Sequence, residues 1–273
     1  MGSFLEFVLK EIKDDITDLV INSADTIEPV YENGKMDGIL IALTKENKME
    51  GFLNKKIGEE IEKYFLKNNK GKINVNVAND TICLLLSGLI KNSYLNIVGG
   101  IIGTGINMAF FLSESLAINT EAGAFNNFIQ SEPGKFIDEN SSEVGNYIFE
   151  KETSGGYLYK HFNYFIKKFD ISYPEISDSS ELSLLVSKNV ENISEIAKEV
   201  LYHSATLAAC QMAGFLSFLK RDLTFVMQGS VFWKGYGYKE KVEEVIIKLV
   251  PEYKVNFIKI ENDDILGAAK VIL

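Results

Sequence analysis

The run KINVNVANDTICLLLSG, from Lys72 to Gly88, constrains the fold more than any other stretch of the chain. Ile73, Val75 and Val77 alternate with polar residues, the period-2 pattern of a strand. At Asn79-Asp80-Thr81 the alternation stops and a continuous apolar run begins. A strand that passes straight into such a run is the repeating unit of layered α/β folds. In open α/β sheets, ligands collect beyond the carboxyl ends of the strands. Asp80 therefore either caps the next helix, by accepting hydrogen bonds from first-turn N–H groups, or is aimed at a substrate. The residues themselves leave both readings open.

The rest of the chain continues the alternation of helix and strand. Phe4, Phe7, Val8, Ile12, Ile16 and Leu19 fall at helical spacing, which predicts an amphipathic opening helix over Phe4–Leu19. DLVINSADTIEPV predicts a short strand region ending at Pro29, and Ile39–Leu43 a second strand after the turn at Asn33-Gly34. Phe52–Leu66 reads as a helix. YLNIVGGIIGTGINMAFFL reads as two strands flanking Gly103-Thr104-Gly105, and LAINTEAGAF as a strand and turn carrying Glu121. Helical patterns follow over Ser141–Phe169 and Glu181–Lys220. DLTFVMQGSVF is a strand into a Gly-Ser turn, Tyr238–Leu249 a helix, Val255–Ile260 a strand, and DDILGAAKVIL a closing helix.

Composition narrows the function classes. With 273 residues and 46% apolar content, the chain can bury one large core or two modest ones. Its net charge of -10 argues against nucleic acid as a partner, because phosphate binding rests on clustered Lys and Arg. The apolar stretches are too short, or too broken by Asn and Gly, to predict a membrane span. No basic n-region precedes a cleavage site, so no signal peptide is evident, and a soluble cytoplasmic protein is expected. Cys83 and Cys210 lie in apolar runs and are expected to be buried free thiols.

Singly, each candidate site has an ordinary structural explanation. Gly103-Thr104-Gly105 could be a hairpin turn, although glycines also let backbone N–H groups approach an anion. Glu150 near a helix start could be a dipole partner, and Lys45 sits in a charged run typical of a solvated face. His161 and His203 lack metal-ligand spacing and are expected to be structural. Trp233 and the KHFNYFIKKF run are expected to pack.

Together the motifs say more. GILIALTKENK, NVNVANDT, IIGTGINMAF, INTEAGAF, FEKETSGGYL, ATLAACQMAGFLSFLKR, QGSVF and LGAA occur in the order and near the spacing of the eukaryotic-type hexokinase and glucokinase family, which the chain resembles from about Phe4 onward. The resemblance implies an actin-like fold of two RNase-H-like α/β lobes, here residues 1–80 as the small lobe and 81–273 as the large one. It implies transfer of the ATP γ-phosphoryl to the 6-hydroxyl of a hexose such as glucose, with Mg²⁺. In that family the Asn-Asp pair orients the sugar and supplies the general base, the roles implied for Asn79 and Asp80. Thr44 and Lys45 match the family's sugar-contacting Thr-Lys pair, and Asn107, Glu121 and Glu150 match further sugar-reading positions. Gly103, Thr104 and Gly105 resemble the second phosphate loop, Gly229 and Ser230 the adenosine and phosphate turn, and Gly267 the glycine of the closing helix near adenosine.

The departures cluster on the nucleotide side. The family's opening hairpin with Asp-x-Gly-Gly-Thr is not found, so the first lobe is expected to lack its three opening strands. The strand ending near Pro29 would then present an open edge, which another copy or a protein partner would cover. A sugar-contacting Ser falls on Ile27, a Trp on Ala122, an Asp on Gln228, and Ser-Gly-Lys-Gly on the DDILG segment. Two function classes follow: a divergent hexose kinase with Asp80 as base, or a catalytically degenerate relative kept for sugar binding or protein interaction. A third possibility is half of a split kinase completed by another chain.

Overall fold

The computed structural model of the protein describes residues 2–12, 16–32, 34–42 and 50–272. Two compact units are formed, Met1–Lys91 with Ile260–Leu273, and Asn92–Lys259. The boundary lies beyond the 80/81 division expected from sequence, and the chain's last helix returns to the first unit.

The first unit opens with α1 (Gly2–Glu11), β1 (Asp18–Ser23), β2 (Thr26–Glu32), β3 (Lys35–Ala42), α2 (Ile57–Lys67), β4 (Asn74–Asn79) and α3 (Asp80–Ser87). The opening helix is shorter than its apolar spacing predicts. Leu19 belongs instead to β1, which pairs in parallel with β4 from Asp18↔Asn74 to Ser23↔Asn79. Strand pairing has overridden a local helical period. β2 and β3 form a separate antiparallel hairpin, and Pro29 lies inside β2 opposite Gly38 rather than ending a strand. Proline is tolerated there because β2 has β3 as its one ladder partner among the described residues, so its lost N–H faces an edge. For the same reason the open edge expected near Pro29 is distinct from the outer edge of β1, whose one strand neighbour among the described residues is β4.

The core of this unit gathers Leu5 and Val8 of α1, Leu40, Phe52, Ile57, Ile61 and Phe65, with Val75 and Val77 of β4. The alternating Asn76 is also buried, and its Oδ1 accepts from the Met36 N–H at 3.0 Å. The buried Asp37 carboxylate accepts from Gly58 N–H at 2.8 Å and Glu59 N–H at 3.0 Å, so a strand residue caps the start of α2. A Cβ on Gly58 would lie 2.9 Å from those carboxylate oxygens, which accounts for glycine there.

The second unit contains β5 (Ile97–Ile102), β6 (Ile106–Ser113), β7 (Leu116–Asn119), α4 (Glu132–Glu139), α5 (Ile148–Thr153), α6 (Leu158–Lys168), α7 (Ser180–Lys188), α8 (Ile193–Leu219), β8 (Leu223–Gln228), α9 (Ser230–Lys234), α10 (Tyr238–Leu249) and β9 (Val255–Ile258). Its sheet runs β7-β6-β5-β8-β9. β5, β6 and β7 form an antiparallel meander, while β8 and β9 run parallel to β5. The long helix α8 presents Ala197, Ala205, Ala208, Ala209 and Ala213, all buried, to the core. These small side chains let α6, α7 and α10 pack close around it. Cys210 corrects an expectation: it is exposed on α8, whereas Cys83 is buried. An apolar run does not say which side of a helix faces out.

The last helix, α11 (Asp263–Val271), crosses α3 so closely that a Cβ on Gly267 would lie 1.8 Å from the Cys83 carbonyl oxygen. Among the described residues no helix is long and apolar enough to cross a membrane.

Candidate functional site

In the first unit the site begins where β4 becomes α3. Asn79 is the N-cap: its Oδ1 accepts from Thr81 N–H at 2.9 Å, and its Nδ2 donates to the Ser23 carbonyl at 3.4 Å. Asp80 begins the helix, and its Oδ1 accepts from Thr81 N–H at 2.7 Å and from the Thr81 hydroxyl at 3.1 Å. Both side chains thus satisfy first-turn donors, and a carboxylate there also complements the helix dipole. Asn79 is buried and Asp80 half-buried. Burial, followed by the charges of Asp80 and Asp264, pushes the Cys83 thiol up to about 12. Two carboxylates therefore project their charge onto one turn of α3. Thr44 and Lys45 lie outside the described residues.

In the second unit, Asn107, Glu121 and Glu150 form one cluster. Asn107 on β6 donates through Nδ2 to Asn119 Oδ1 at 2.8 Å, and its Oδ1 accepts from Ala122 N–H at 3.1 Å. Asn119 in turn donates to Glu121 Oε1 at 2.7 Å. Thr120 donates N–H and hydroxyl to the Met108 carbonyl at 2.9 and 2.7 Å. The segment carrying Glu121 is thus tied to β6 residue by residue, and Glu121 itself is held at φ 47°, ψ 50°. That left-handed conformation is uncommon for a residue with a Cβ and persists where neighbours over-determine it. Glu150 on α5 accepts from Ile106 N–H at 3.3 Å, at the start of the strand that carries Asn107. Gly123 closes the cluster, since a Cβ there would lie 3.3 Å from Glu150 Oε2.

The glycine turns are the third component. Gly103-Thr104-Gly105 is a hairpin turn between β5 and β6, with Gly103 N–H donating to Gly105 C=O at 2.9 Å. The Gly229-Ser230 turn lies directly against it. A Cβ on Gly229, where φ is +108°, would be 2.1 Å from the Ile102 carbonyl oxygen, and one on Gly103 would be 3.3 Å from Gly229 Cα. A further glycine turn, without an assigned role in the sequence, supports both. Gly155 N–H donates to Gly103 C=O at 2.7 Å and Gly156 N–H to Thr104 C=O at 3.1 Å. These glycines immediately follow α5, so the helix that carries Glu150 also braces the hairpin turn. Thr104 and Ser230 are exposed in front of this close-packed backbone.

Beneath the cluster, α5 is fixed by bonds that span large sequence separations. The buried Lys151 donates to Asp138 Oδ1 at 2.5 Å, Ser141 Oγ at 2.9 Å and the Glu143 carbonyl at 2.6 Å. Glu152, fully buried, accepts from Ser131 N–H at 2.7 Å and from its hydroxyl at 2.8 Å, and meets His203 Nε2 at 3.0 Å. Burial pulls the Glu152 carboxyl up, but the His203 and Ser131 hydrogen bonds and the nearby His161 outweigh it and hold it below its ordinary value. His161 Nε2 lies 2.7 Å from the Lys151 carbonyl, and burial holds this imidazole below its ordinary value.

The chain is similar to known proteins. The family model described as hexokinase matches residues 97–169 and 173–273. Human hexokinase HKDC1 is 22% identical over 301 residues, covering 89% of this chain and 33% of that protein. Human hexokinase-1 is 26% identical over 332 residues, covering 99% of this chain and 35% of that protein. The chain thus spans about a third of the length of these curated relatives. Among solved structures, hexokinase from Schistosoma mansoni complexed with glucose superposes with a TM-score of 0.79 at 21% identity, covering 99% of this chain and 73% of that one. A ROK family protein from Streptococcus pneumoniae in complex with sucrose gives 0.63 at 14% identity, covering 99% and 85%. The fold is therefore the actin-like fold shared by hexokinases and ROK proteins. With the family model spanning most of the chain, from β5 through α11, this protein belongs to the hexokinase family.

Proposed function

We propose that this chain binds a hexose such as glucose and transfers the γ-phosphoryl group of ATP to its 6-hydroxyl. The observation that carries the reading is the interlocked set Asn107, Asn119, Glu121 and Glu150. Half-buried amides and carboxylates fixed by their neighbours are suited to reading sugar hydroxyls, because each offers donors or acceptors at set directions. Asn107, Glu121 and Glu150 of the second unit would bind hydroxyls, a task the resemblance also assigns to Thr44 and Lys45. In the first, Asn79 would orient the sugar and Asp80 would accept the 6-hydroxyl proton as the O–P bond forms. Phosphoryl transfer asks mainly for positioning and charge stabilisation, so a fixed base and a fixed sugar supply much of what a protein can add.

The residues present fit a polyphosphate on one side. Gly103, Thr104, Gly105, Gly229 and Ser230 form a cradle that a Cβ would fill, with two exposed hydroxyls in front of it. These residues would hold the phosphates, and Gly267 is assigned near adenosine by the resemblance. When bound, Mg-ATP supplies the transferable group and neutralises its charge. Among the described residues no group of three His, Cys, Asp or Glu side chains is placed to hold a metal ion, so phosphates and water would provide most of its ligands.

A second reading, sugar binding without turnover, is favoured by the carboxylates at the start of α11. Asp263 and Asp264 stand in the DDILG segment that replaces the family's Ser-Gly-Lys-Gly in the resemblance, and carboxylates there would oppose a polyphosphate. ADP release from Mg-ATP, measured with and without glucose beside Asp80→Asn, separates the readings. Glucose-dependent release that falls by at least about 10²-fold in the variant supports the kinase. Glucose binding with no release supports the second reading, and release that Asp80→Asn leaves intact removes Asp80 as the base.

A further inference from the structure

Beside Glu121, within the second unit, lies a cavity of about 440 Å³ to which nothing above gives a task. Its size falls in the range of small-molecule sites. One wall is aromatic, made by Phe110, Phe125, Phe215 and Phe218, with the Phe110 ring centroid 5.4 Å from that of Phe215 and 6.0 Å from that of Phe218. Glu121 and Gln211 also line the cavity. The Gln211 amide is poorly used. Its Nε2 reaches the Ala122 carbonyl at 3.5 Å, the limit of a hydrogen bond, and its buried Oε1 has no partner among the described residues. Leaving a buried acceptor in that state is costly, and a turn of the amide toward the cavity would let a ligand hydroxyl satisfy it.

Gly214 gives the independent sign that the space is kept open. It lies in the body of α8, between Gln211 and Phe218, on the same helix face. A glycine there weakens a helix relative to alanine. A Cβ on Gly214 would meet nothing within 4 Å, as at Gly34, Gly71 and Gly145, but those three have a positive φ that favours glycine and Gly214 does not. Packing does not require this glycine, and a larger side chain would project into the cavity.

We propose that this cavity is a subsite for an aryl group carried by the hexose, so that the ligand class is an aryl hexoside. A molecule with a hydroxyl-bearing end and an aromatic end matches a cavity lined by a carboxylate, an amide and four phenyl rings. The sugar would be read by Glu121 and the aryl group would lie among the four phenylalanines. This rests on the reading of Glu121 as a sugar residue.

The test is calorimetric titration of the whole chain with glucose and with the phenyl α- and β-D-glucopyranosides, repeated on Gly214→Leu and Phe218→Ala. One phenyl glucoside should bind on the order of tenfold more tightly than glucose, the scale of an apolar group entering a matching pocket. Gly214→Leu should abolish that gain while leaving glucose affinity unchanged, and Phe218→Ala, at an exposed position that does not threaten folding, should reduce it. Glucose binding with no gain for either glucoside, or a gain that survives Gly214→Leu, would overturn the subsite and leave the sugar reading standing. Failure of glucose and both glucosides to bind would overturn the sugar reading and the subsite with it.

Discussion

The two units hold their candidate sugar residues by opposite means. In the first, Asn79 and Asp80 bond Thr81 across one or two residues, and Asn79 reaches the Ser23 carbonyl at 3.4 Å. In the second, Asn107, Glu121 and Glu150 are held by partners up to 44 residues away, and α5 beneath them is anchored on both sides by buried charge. A local cap fixes a side chain cheaply, but also makes its role hard to separate from helix initiation. A tiered network fixes side chains whose own segment has no strong preference, at the cost of burying ions that must stay paired.

Breaking the buried tier should produce the largest effect. Lys151→Ala leaves the Asp138 carboxylate buried without its cation and should cost about 3–5 kcal/mol, measured by urea unfolding. Lys167→Ala, which removes an exposed pair with Glu175, should stay within about 0.5 kcal/mol. Hydrogen exchange should show the Lys151→Ala loss in α4 and α5, with β1 and β4 of the first unit little changed. A cost below about 1 kcal/mol would mean that α5 is held by packing alone.

Acid should discriminate between the units in a gentler way. Burial lowers the His161 pKa, so the folded state resists protonating it. The stability it contributes is present above its ordinary 6.5 and is lost as pH falls below that value towards the lowered value of the folded state. The net lowering of Glu152 adds a second loss, beginning as pH falls below its ordinary 4.5. Thermal melts from pH 8 to pH 4 should therefore decline in two stages, and His161→Asn should flatten the first. A melting temperature that is constant between pH 7 and pH 5 would show that His161 is not linked to folding.

The same contrast decides how much could be read from the sequence. NVNVANDT gave its strand, its helix start and its cap because those signals are local. The glycine turns were visible as glycines, but the reason for them was not: Gly229 is required by the Ile102 carbonyl, more than a hundred residues away in the chain. Gly155 and Gly156 stood in a quoted motif without a role, since only the fold shows that they brace Gly103 and Thr104. Lys151 and Glu152 stand inside FEKETSGGYL and Asp138 outside every motif, but none of the three carries a sign of burial, because charged residues on short helices ordinarily face water. Conversely, the helical spacing that continued to Leu19 and the apolar run around Cys210 misled, since strand pairing and the choice of exposed helix face are settled by tertiary contacts.

The smallest predicted change sharpens the comparison most, because it separates cap from sugar reader within the first unit. Asn79→Ala removes the acceptor for Thr81 N–H and should cost about 1 kcal/mol. Asn79→Ser keeps a capping oxygen on a shorter side chain, and serine caps helices about as well as asparagine. Stability should therefore fall in the alanine variant and largely return in the serine variant. Glucose affinity should behave differently if Asn79 also orients the sugar: the amide donor is absent from both variants, so affinity should stay reduced in both. Affinity that recovers with stability in Asn79→Ser would reduce Asn79 to a helix cap. The sugar reading in this unit would then rest on Asp80, whose carboxylate is bonded to Thr81 through the same local geometry.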